Sequence, residues 1–308
     1  MNHFLIMNVQ DENYLKMNNF EFREVVGAGG NGVVYRIYCP AYKREFALKS
    51  IPKSKFRQSE IECMKQVDDP NVVQLYSYDI YEDNVYLLME YCPITLDKFM
   101  RSRKSLSPEL IKKYSIGILK SVRACHRNNI AHSDLKPGNF LIDQYDRIRI
   151  CDFGLSSFKA ETELEDHFAG SVPFMAPEIL KKKPFNPFKA DIWAIGVTFF
   201  IMATGILPWP GNTKVTLCRN ILNLSPCLEY IKDQNYAEVV RRCLSPDPSE
   251  RPSVDALLDL PMFKESSSII LPTKAKNRYL ALAKAYSRNQ GSMIMKPRLK
   301  NTKIQVNL

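Results

Sequence analysis

Twenty-two consecutive residues, 192–213, carry no charged side chain. Water solvates such a stretch poorly, so the chain must bury it in lipid or in its own core. Pro208 and Pro210 interrupt the run. As a helix, Ile192–Leu207 would span only about 24 Å, short of a bilayer core of about 30 Å. A buried central helix is therefore predicted, with no transmembrane segment. At 308 residues the chain is long enough to surround it with one or two substantial cores. Hydrophobic content of 45% and charged content of 25% are those of an ordinary globular protein and exclude wholesale disorder.

Charge and cysteine usage narrow the class further. The formal net charge is +10, but residues 265–308 hold nine Lys/Arg against the single acid Glu265. The tail thus carries +8 and leaves +2 for residues 1–264. A dedicated nucleic-acid binder would spread a basic face over its fold, so direct nucleic-acid binding is not expected. The eight cysteines are scattered, without a C-x-x-C pair, mostly in apolar stretches where cysteine acts as a small hydrophobe. The N-terminus shows only the short apolar run Phe4–Met7 and no leading positive charge, which does not make a signal peptide. These features together suggest an intracellular protein, cytoplasmic or nuclear.

Periodicity divides the chain into two textures. Phe20–Tyr38 reads as a β-hairpin split by glycines, and Glu45–Ile51, Val72–Tyr78 and Val85–Tyr91 as further strands. One helix, Ser59–Val67, interrupts them. After Pro93 helices dominate: Leu110–His126, Ala190–Gly205, Val215–Leu222, Ala237–Leu244 and Val254–Leu258, with short strands at Phe140–Ile142 and Arg147–Ile150. A β-rich part followed by a helical part is an α+β pattern with a hinge near residues 90–93.

Several motifs carry chemistry on this frame. Gly27-Ala28-Gly29-Gly30-Asn31-Gly32-Val33-Val34 spells G-x-G-x-x-G-x-V. A dinucleotide-binding turn would lead into a helix, whereas Val33-Val34-Tyr35 continue as a strand. Glycines between strands let backbone N–H groups close over phosphates without side chains in the way. Phe46-Ala47-Leu48-Lys49 ends an apolar strand on a lysine, and Glu60 opens the next helix where a carboxylate could reach it. Glu62 competes for that role, but the spacing of Glu60 from Pro70 favours Glu60. His132-Ser133-Asp134-Leu135-Lys136-Pro137-Gly138-Asn139 is followed by Asp152-Phe153-Gly154. Two carboxylates eighteen residues apart with an asparagine between suit a metal–phosphate site, in which hard oxygens hold Mg²⁺ and one acid accepts a hydroxyl proton. Ala176-Pro177-Glu178 comes 24 residues after Asp152.

In order and spacing, these motifs resemble the protein kinases across residues 20–263. The resemblance implies an α+β bilobal kinase fold: a small β-rich N-lobe with one main helix (20–91) and a larger helical C-lobe (92–263). Residues 1–19 would be an N-terminal extension and 264–308 a basic tail. By resemblance, Lys49 would anchor the ATP phosphates and pair with Glu60, and Asp134 would be the catalytic base. Lys136 would contact the γ-phosphate, and Asn139 and Asp152 would be the Mg²⁺ ligands. The glycine turn Gly27–Gly32 would cover the phosphates. Adenine would lie between Val34, Ala47 and Leu141, against Glu90 and Cys92, with Met89 behind it. Asp191 would brace the catalytic loop, Arg251 would pair with Glu178, and Met64, Leu75, His132 and Phe153 would stack between the lobes. Lys136 and the segment Gly170–Glu178, with Ser171, resemble the serine/threonine kinases. The turn Gly205-Ile206-Leu207-Pro208-Trp209 is similar to the calcium/calmodulin-dependent and Snf1-like group. The implied function is ATP- and Mg²⁺-dependent phosphorylation of protein Ser/Thr hydroxyls; the alternative is an ATP-binding pseudokinase acting as scaffold or allosteric partner.

The sequence also departs from the family pattern. Ser133 stands where most regulated kinases carry an arginine for a phosphorylated activation loop. Phosphate at Thr162 would lack that partner and be repelled by Glu161, Glu163, Glu165 and Asp166, so activity without loop phosphorylation is expected. Gly138 replaces a glutamate that reads substrate arginine in basic-directed relatives, leaving Asp97 as the nearest acid. Cys151, before Asp152, is expected to be a buried, inert thiol. In the tail, Tyr279, Leu282, Ala283 and Tyr286 share a helical face beside Lys276, Lys284 and Arg288. Either a solvated extension or a segment for an acidic or regulatory partner fits that pattern.

Overall fold

The computed structural model describes residues 7–30, 32–160, 163–166 and 168–264. The described residues form one compact unit. The helical face expected in the tail lies outside the described residues.

The N-lobe is a five-stranded antiparallel sheet in the order β1-β2-β3-β5-β4: β1 (Glu21–Gly29), β2 (Gly32–Cys39), β3 (Arg44–Pro52), β4 (Leu75–Tyr81) and β5 (Asn84–Glu90). The β1–β2 hairpin turns between Gly29 and Gly32, in register with the expected glycine cluster. Gly32 has φ +132, and a Cβ there would lie 2.1 Å from the Ser50 carbonyl oxygen, so only glycine lets β2 approach β3 at this point. Helix α2 (Gln58–Gln66) lies between β3 and β4 in the chain. The strand expected at Val72–Tyr78 starts later and runs further. Val72 and Val73 instead pair with Ile150 of the C-lobe, with Val73 N–H donating to its carbonyl at 2.9 Å.

Alternation in the sheet creates two cores, because successive strand residues point to opposite faces. Ala47, Ile51, Val85, Leu87 and Met89 join the large core shared with the C-lobe. Tyr35, Ile37, Phe46, Leu48 and Tyr86 point the other way, into a separate core. A helix not foreseen from the sequence, α1 (Val9–Met17), covers that outer face. Its weak apolar periodicity gave no signal, because it docks through two aromatic–aliphatic residues and one acid. Tyr14 stacks on Tyr86 with ring centroids 3.7 Å apart. Asp11, 1% exposed, accepts hydrogen bonds from Tyr35 OH (2.5 Å), Tyr86 OH (2.6 Å), Ser50 Oγ (2.7 Å), Asn8 Nδ2 (3.0 Å) and Asn84 Nδ2 (3.2 Å). Burial and the bond to Asp11 hold both phenols protonated, raising their pKa values well above that of a free tyrosine. Residues 7–17, read as part of an extension, thus knit β2, β3 and β5 together from behind.

A short strand β6 (Ile94–Thr95) and helix α3 (Leu96–Arg101), capped by Thr95, lead into the C-lobe. Helix α4 (Pro108–Arg127) buries Tyr114, Ile118, Leu119, Val122 and Cys125, the stripe read from the sequence. β7 (Ile130–Ala131), β8 (Phe140–Ile142), β9 (Ile148–Ile150) and β10 (Ser157–Phe158) form two small antiparallel sheets, β10-β7 and β6-β8-β9. Next come α5 (Pro177–Leu180), α6 (Pro187–Thr204), α7 (Lys214–Asn223), α8 (Gln234–Cys243) and α9 (Val254–Leu258). The uncharged run lies largely in α6. This helix is apolar and long enough to cross a membrane by composition alone, but 78% of it is buried within the fold. A Cβ at Gly196 would come within 2.7 Å of the Cys243 Cβ, so its absence lets α6 and α8 touch closely.

The Asp11 knot gives a stability prediction. Asp11→Ala orphans several buried donors at once and should cost about 3 kcal/mol, while Asp11→Asn, which keeps one acceptor, should cost less. Urea denaturation of the two variants checks this; an unchanged midpoint for Asp11→Ala would mean that α1 contributes nothing to the lobe.

Candidate active site

The site lies between the sheet and the C-lobe, and its groups come from several elements. Lys49 sits on β3 facing the cleft and is nearly buried. Its ammonium donates to Glu60 Oε1 on α2 at 2.7 Å and to Asp152 Oδ1 after β9 at 2.8 Å. Burial works against the ammonium, but the two carboxylates outweigh it and hold Lys49 above the usual lysine value. Burial also disfavours the Asp152 carboxylate, yet Lys49 outweighs it and keeps that pKa below the usual range. Lys49 and Asp152 are therefore both charged at neutral pH, in a setting where each depends on the other. Glu60, not Glu62, fills the partner role.

The catalytic loop hangs from α6. Asp191, buried in that helix, accepts the backbone N–H groups of His132 (2.8 Å) and Ser133 (2.9 Å), and its Oδ2 lies 3.0 Å from His126 Nε2. These bonds fix a loop in which Ser133 adopts φ +64; Asp152 has φ +64 as well. Non-glycine residues rarely sit in the left-handed region, and such strain collects at functional sites. Next on the loop, Asp134 accepts from Lys136 Nζ (2.6 Å) and from Ser171 Oγ (3.0 Å), while Lys136 also reaches Ser171 Oγ at 2.9 Å. Asn139 Nδ2 donates to the Asp134 carbonyl oxygen at 2.8 Å and to its Oδ2 at 3.2 Å. That leaves Asn139 Oδ1 and Asp152 Oδ2 without a protein donor among the described residues. Two hard oxygens fit Mg²⁺, which keeps several waters and takes phosphate oxygens besides one or two protein ligands.

Behind these groups, Phe153 is fully buried, with its ring 5.3 Å from that of His132. Met64 and Leu75 pack into the same core. Arg251, itself buried, pairs with both oxygens of Glu178 at 2.6 and 2.8 Å and lies over the Trp193 ring.

A cleft of about 320 Å³ opens beside Lys49. Val34, Ala47, Met89, Glu90, Cys92 and Leu141 line it, as expected for an adenine pocket, together with Gly27, Lys49, Glu60, Asn139 and Asp152. Ala28, Gly29, Gly30 and Gly32 lie in the turn without lining the cleft, and Asn31 lies outside the described residues. Asp134 lines a second cavity of about 220 Å³ on the side of Ser171, along with Phe174 and Met175. Lys136 lines neither cavity and reaches the site only through its bonds to Asp134 and Ser171. Glu90 turns its carboxylate toward Arg149 at 3.2 Å, so only its backbone can serve a base in the cleft.

Three lysines of the site were not read from the sequence. Lys55 donates to the Gly30 carbonyl at 2.8 Å, pinning the glycine turn, and Lys98 donates to the Val26 carbonyl at 3.0 Å, linking α3 to β1. Lys159 grips Glu163 (3.0 Å) and Glu165 (3.3 Å), while Glu165 pairs by its backbone with Phe185. Only the basic run Lys53–Arg57 offered a hint of any of these.

The whole span from the glycine turn to Phe263 matches a family model described as "Protein kinase domain", over residues 20–263. The chain belongs to the protein kinase family. Among its curated relatives is CBL-interacting protein kinase 5 of Oryza sativa subsp. japonica, 31% identical over 262 residues, covering 81% of this chain and 56% of that protein. Calcium-dependent protein kinase 6 of Plasmodium berghei is 33% identical over 273 residues, covering 83% of this chain and 18% of its own length. Serine/threonine-protein kinase SIK1 of Rattus norvegicus is 29% identical over 245 residues, covering 77% of this chain and 32% of its own. The chain therefore spans little more than half the length of the first of these and less of the others. The expected likeness to calcium-dependent and Snf1-like serine/threonine kinases is borne out.

Cys151 borders the cleft, with its thiol 3.4 Å from the Asn139 carbonyl oxygen. Burial first, and then Asp152, push the thiol well above its ordinary value. At pH 7.5 it should react with iodoacetamide at least about tenfold more slowly than free cysteine, as read by mass spectrometry of the modified peptide. Labelling at the rate of free cysteine would show an ionised, accessible thiol instead.

Proposed function

We propose that this chain transfers the γ-phosphate of ATP to serine and threonine hydroxyls of protein substrates. The observation that carries the reading is the Lys49 ammonium held between Glu60 and Asp152 at 2.7 and 2.8 Å, in the same cleft as Asn139. A pseudokinase would be expected to lack one of Lys49, Glu60, Asp134, Asn139 or Asp152, and here all five are present and mutually placed. Relatives named as serine/threonine-protein kinases, SIK1 among them, support the Ser/Thr acceptor.

Each group has a role set by its surroundings. Lys49, fixed by two carboxylates, presents a charged donor to the nucleotide phosphates. Asn139 Oδ1 and Asp152 would hold Mg²⁺, which when bound neutralises phosphate charge. Asp134 is oriented from both sides, by Lys136 and Ser171, so one oxygen can turn to an incoming hydroxyl and accept its proton. Lys136, 2.6 Å from Asp134, is placed to stabilise negative charge passing between the acceptor and the phosphate. The backbone of the glycine turn, held by Lys55, closes over the phosphates. Gly27, Gly29 and Gly30 leave open space where a side chain would stand.

The acidic activation segment supports a second element of the reading. Lys159, anchored by its N–H to the Asn129 carbonyl at 2.9 Å, already holds two carboxylates of the activation segment. With serine at 133 and that cation occupied, activity should not require a phosphate at Thr162, a residue outside the described ones.

The test is transfer of labelled γ-phosphate from Mg-ATP to peptides centred on Ser/Thr or on Tyr. Label should appear on Ser/Thr and fall at least about 100-fold with Asp134→Asn. A folded chain that binds ATP but labels no peptide would favour the pseudokinase. Thr162→Ala should keep kcat within about twofold of the parent; a drop of about tenfold or more would show that loop phosphorylation is needed after all.

A further inference from the structure

The net charge of +2 on residues 1–264 conceals a strongly one-sided surface. Between residues 179 and 228 the only acid is Asp191, which is buried and committed to the catalytic loop. Glu178, just before, is committed to Arg251. The same span places Lys181, Lys182 and Lys183 directly after α5, and Lys214 and Arg219 on α7, all five exposed. None of the five makes an ion pair among the described residues.

These cations border the acceptor side of the site. Ser171 donates to Asp134 at 3.0 Å, and the 3-10 turn Val172–Phe174 follows at once. Helix α7 packs against that turn, and α5 packs against α7. A peptide whose hydroxyl lies at Asp134 and whose flank runs along Val172–Phe174 therefore passes into the field of Lys214, Arg219 and the triple lysine. The acids that line the two cavities outside the catalytic groups are already paired: Glu24 with Arg36 at 3.0 Å, Glu90 with Arg149 at 3.2 Å and Glu165 with Lys159 at 3.3 Å. Gly138 has no side chain, Asp97 is paired with Arg101 at 3.0 Å, and the next cation, Lys98, lines the cleft.

We propose that the α5–α7 surface is a docking face for acidic protein segments, so that the enzyme selects Ser/Thr acceptors flanked by aspartate, glutamate or phosphorylated residues. The proposal rests on the kinase reading above and names its substrate class. Five like charges on α7 and in the residues directly after α5 raise the local concentration of an anionic segment and repel a basic one. Because the residues are exposed, the attraction is long-ranged and screened by salt.

Two measurements on the full chain test it. The first compares kcat/KM for three serine peptides alike except for aspartate, alanine or lysine on both flanks of the acceptor. The aspartate peptide should exceed the alanine peptide by about tenfold and the lysine peptide by more, with the advantage shrinking as NaCl is raised. Charge reversal at Lys181→Glu, Lys183→Glu and Lys214→Glu together should cut the aspartate-to-alanine ratio by about tenfold. The second is fluorescence anisotropy of the same labelled peptides with the chain, which reads docking without catalysis. A lysine peptide that is preferred, or an aspartate preference that survives charge reversal, would overturn the proposal. If no peptide is phosphorylated, the kinase reading fails on its own; tighter binding of the aspartate peptide would still uphold the docking face, and equal binding of all three would overturn it.

Discussion

One buried carboxylate organises the catalytic machinery. Asp191 lies on the most apolar of the described helices, where a carboxylate is costly unless its oxygens are fully engaged. They are, by two backbone N–H groups of the catalytic loop and by His126. The loop cannot relax without orphaning that charge, so the left-handed turn at Ser133 persists despite its strain. The uncharged run 192–213 follows from the same requirement: only a helix packed on all sides keeps water from competing for Asp191. The core helix and the active site are in this sense one structure.

The second constraint is the cross-lobe ion pair. Lys49 links a strand, a helix and the segment after β9, three elements with no covalent reason to stay aligned. In a nearly buried setting the charges are weakly screened, so removing any one leaves another uncompensated. The sheet can hold Lys49 still only if β3 is itself held. Two contacts on its far side do this, and both involve Ser50, the next residue. The Ser50 hydroxyl donates to Asp11 at 2.7 Å, and its carbonyl is approached so closely by β2 that position 32 must be glycine. Alternation along one strand thus connects the N-terminal helix to the phosphate-facing lysine.

What the sequence revealed and what it hid divide along physical lines. Hairpin, lysine strand, α2, α4 and α6 to α9 were legible because their apolar periodicity matches the elements they form. The cluster Lys49, Glu60, Asp134, Asn139 and Asp152 was legible because each residue is fixed within a short motif. Helix α1 was not, since it docks by a polar knot and one stacked ring, which leave no periodic trace. Val72 and Val73 looked like strand because they are β-branched, but they pair with Ile150 across the lobes, a contact local propensity does not encode. Lys55, Lys98 and Lys159 were invisible for a related reason: a solvated lysine and one that caps a distant carbonyl or carboxylate read alike.

Charge shows the same limit at larger scale. A net figure for residues 1–264 is close to neutral because acids and bases are counted wherever they lie. Folding sorts them: Asp11, Glu60, Asp143 and Asp191 go inside together with Lys49, Arg149 and Arg251, each held by hydrogen bonds or an ion pair. Lys181 to Lys183, Lys214 and Arg219 stay out. Buried groups of both signs drop out of the surface field without changing the formal sum, so a local face such as that of α5 and α7 differs from the average that composition gives. Where buried acids and bases compensate one another inside, the field that a substrate meets is set by the exposed charges and by where the fold places them.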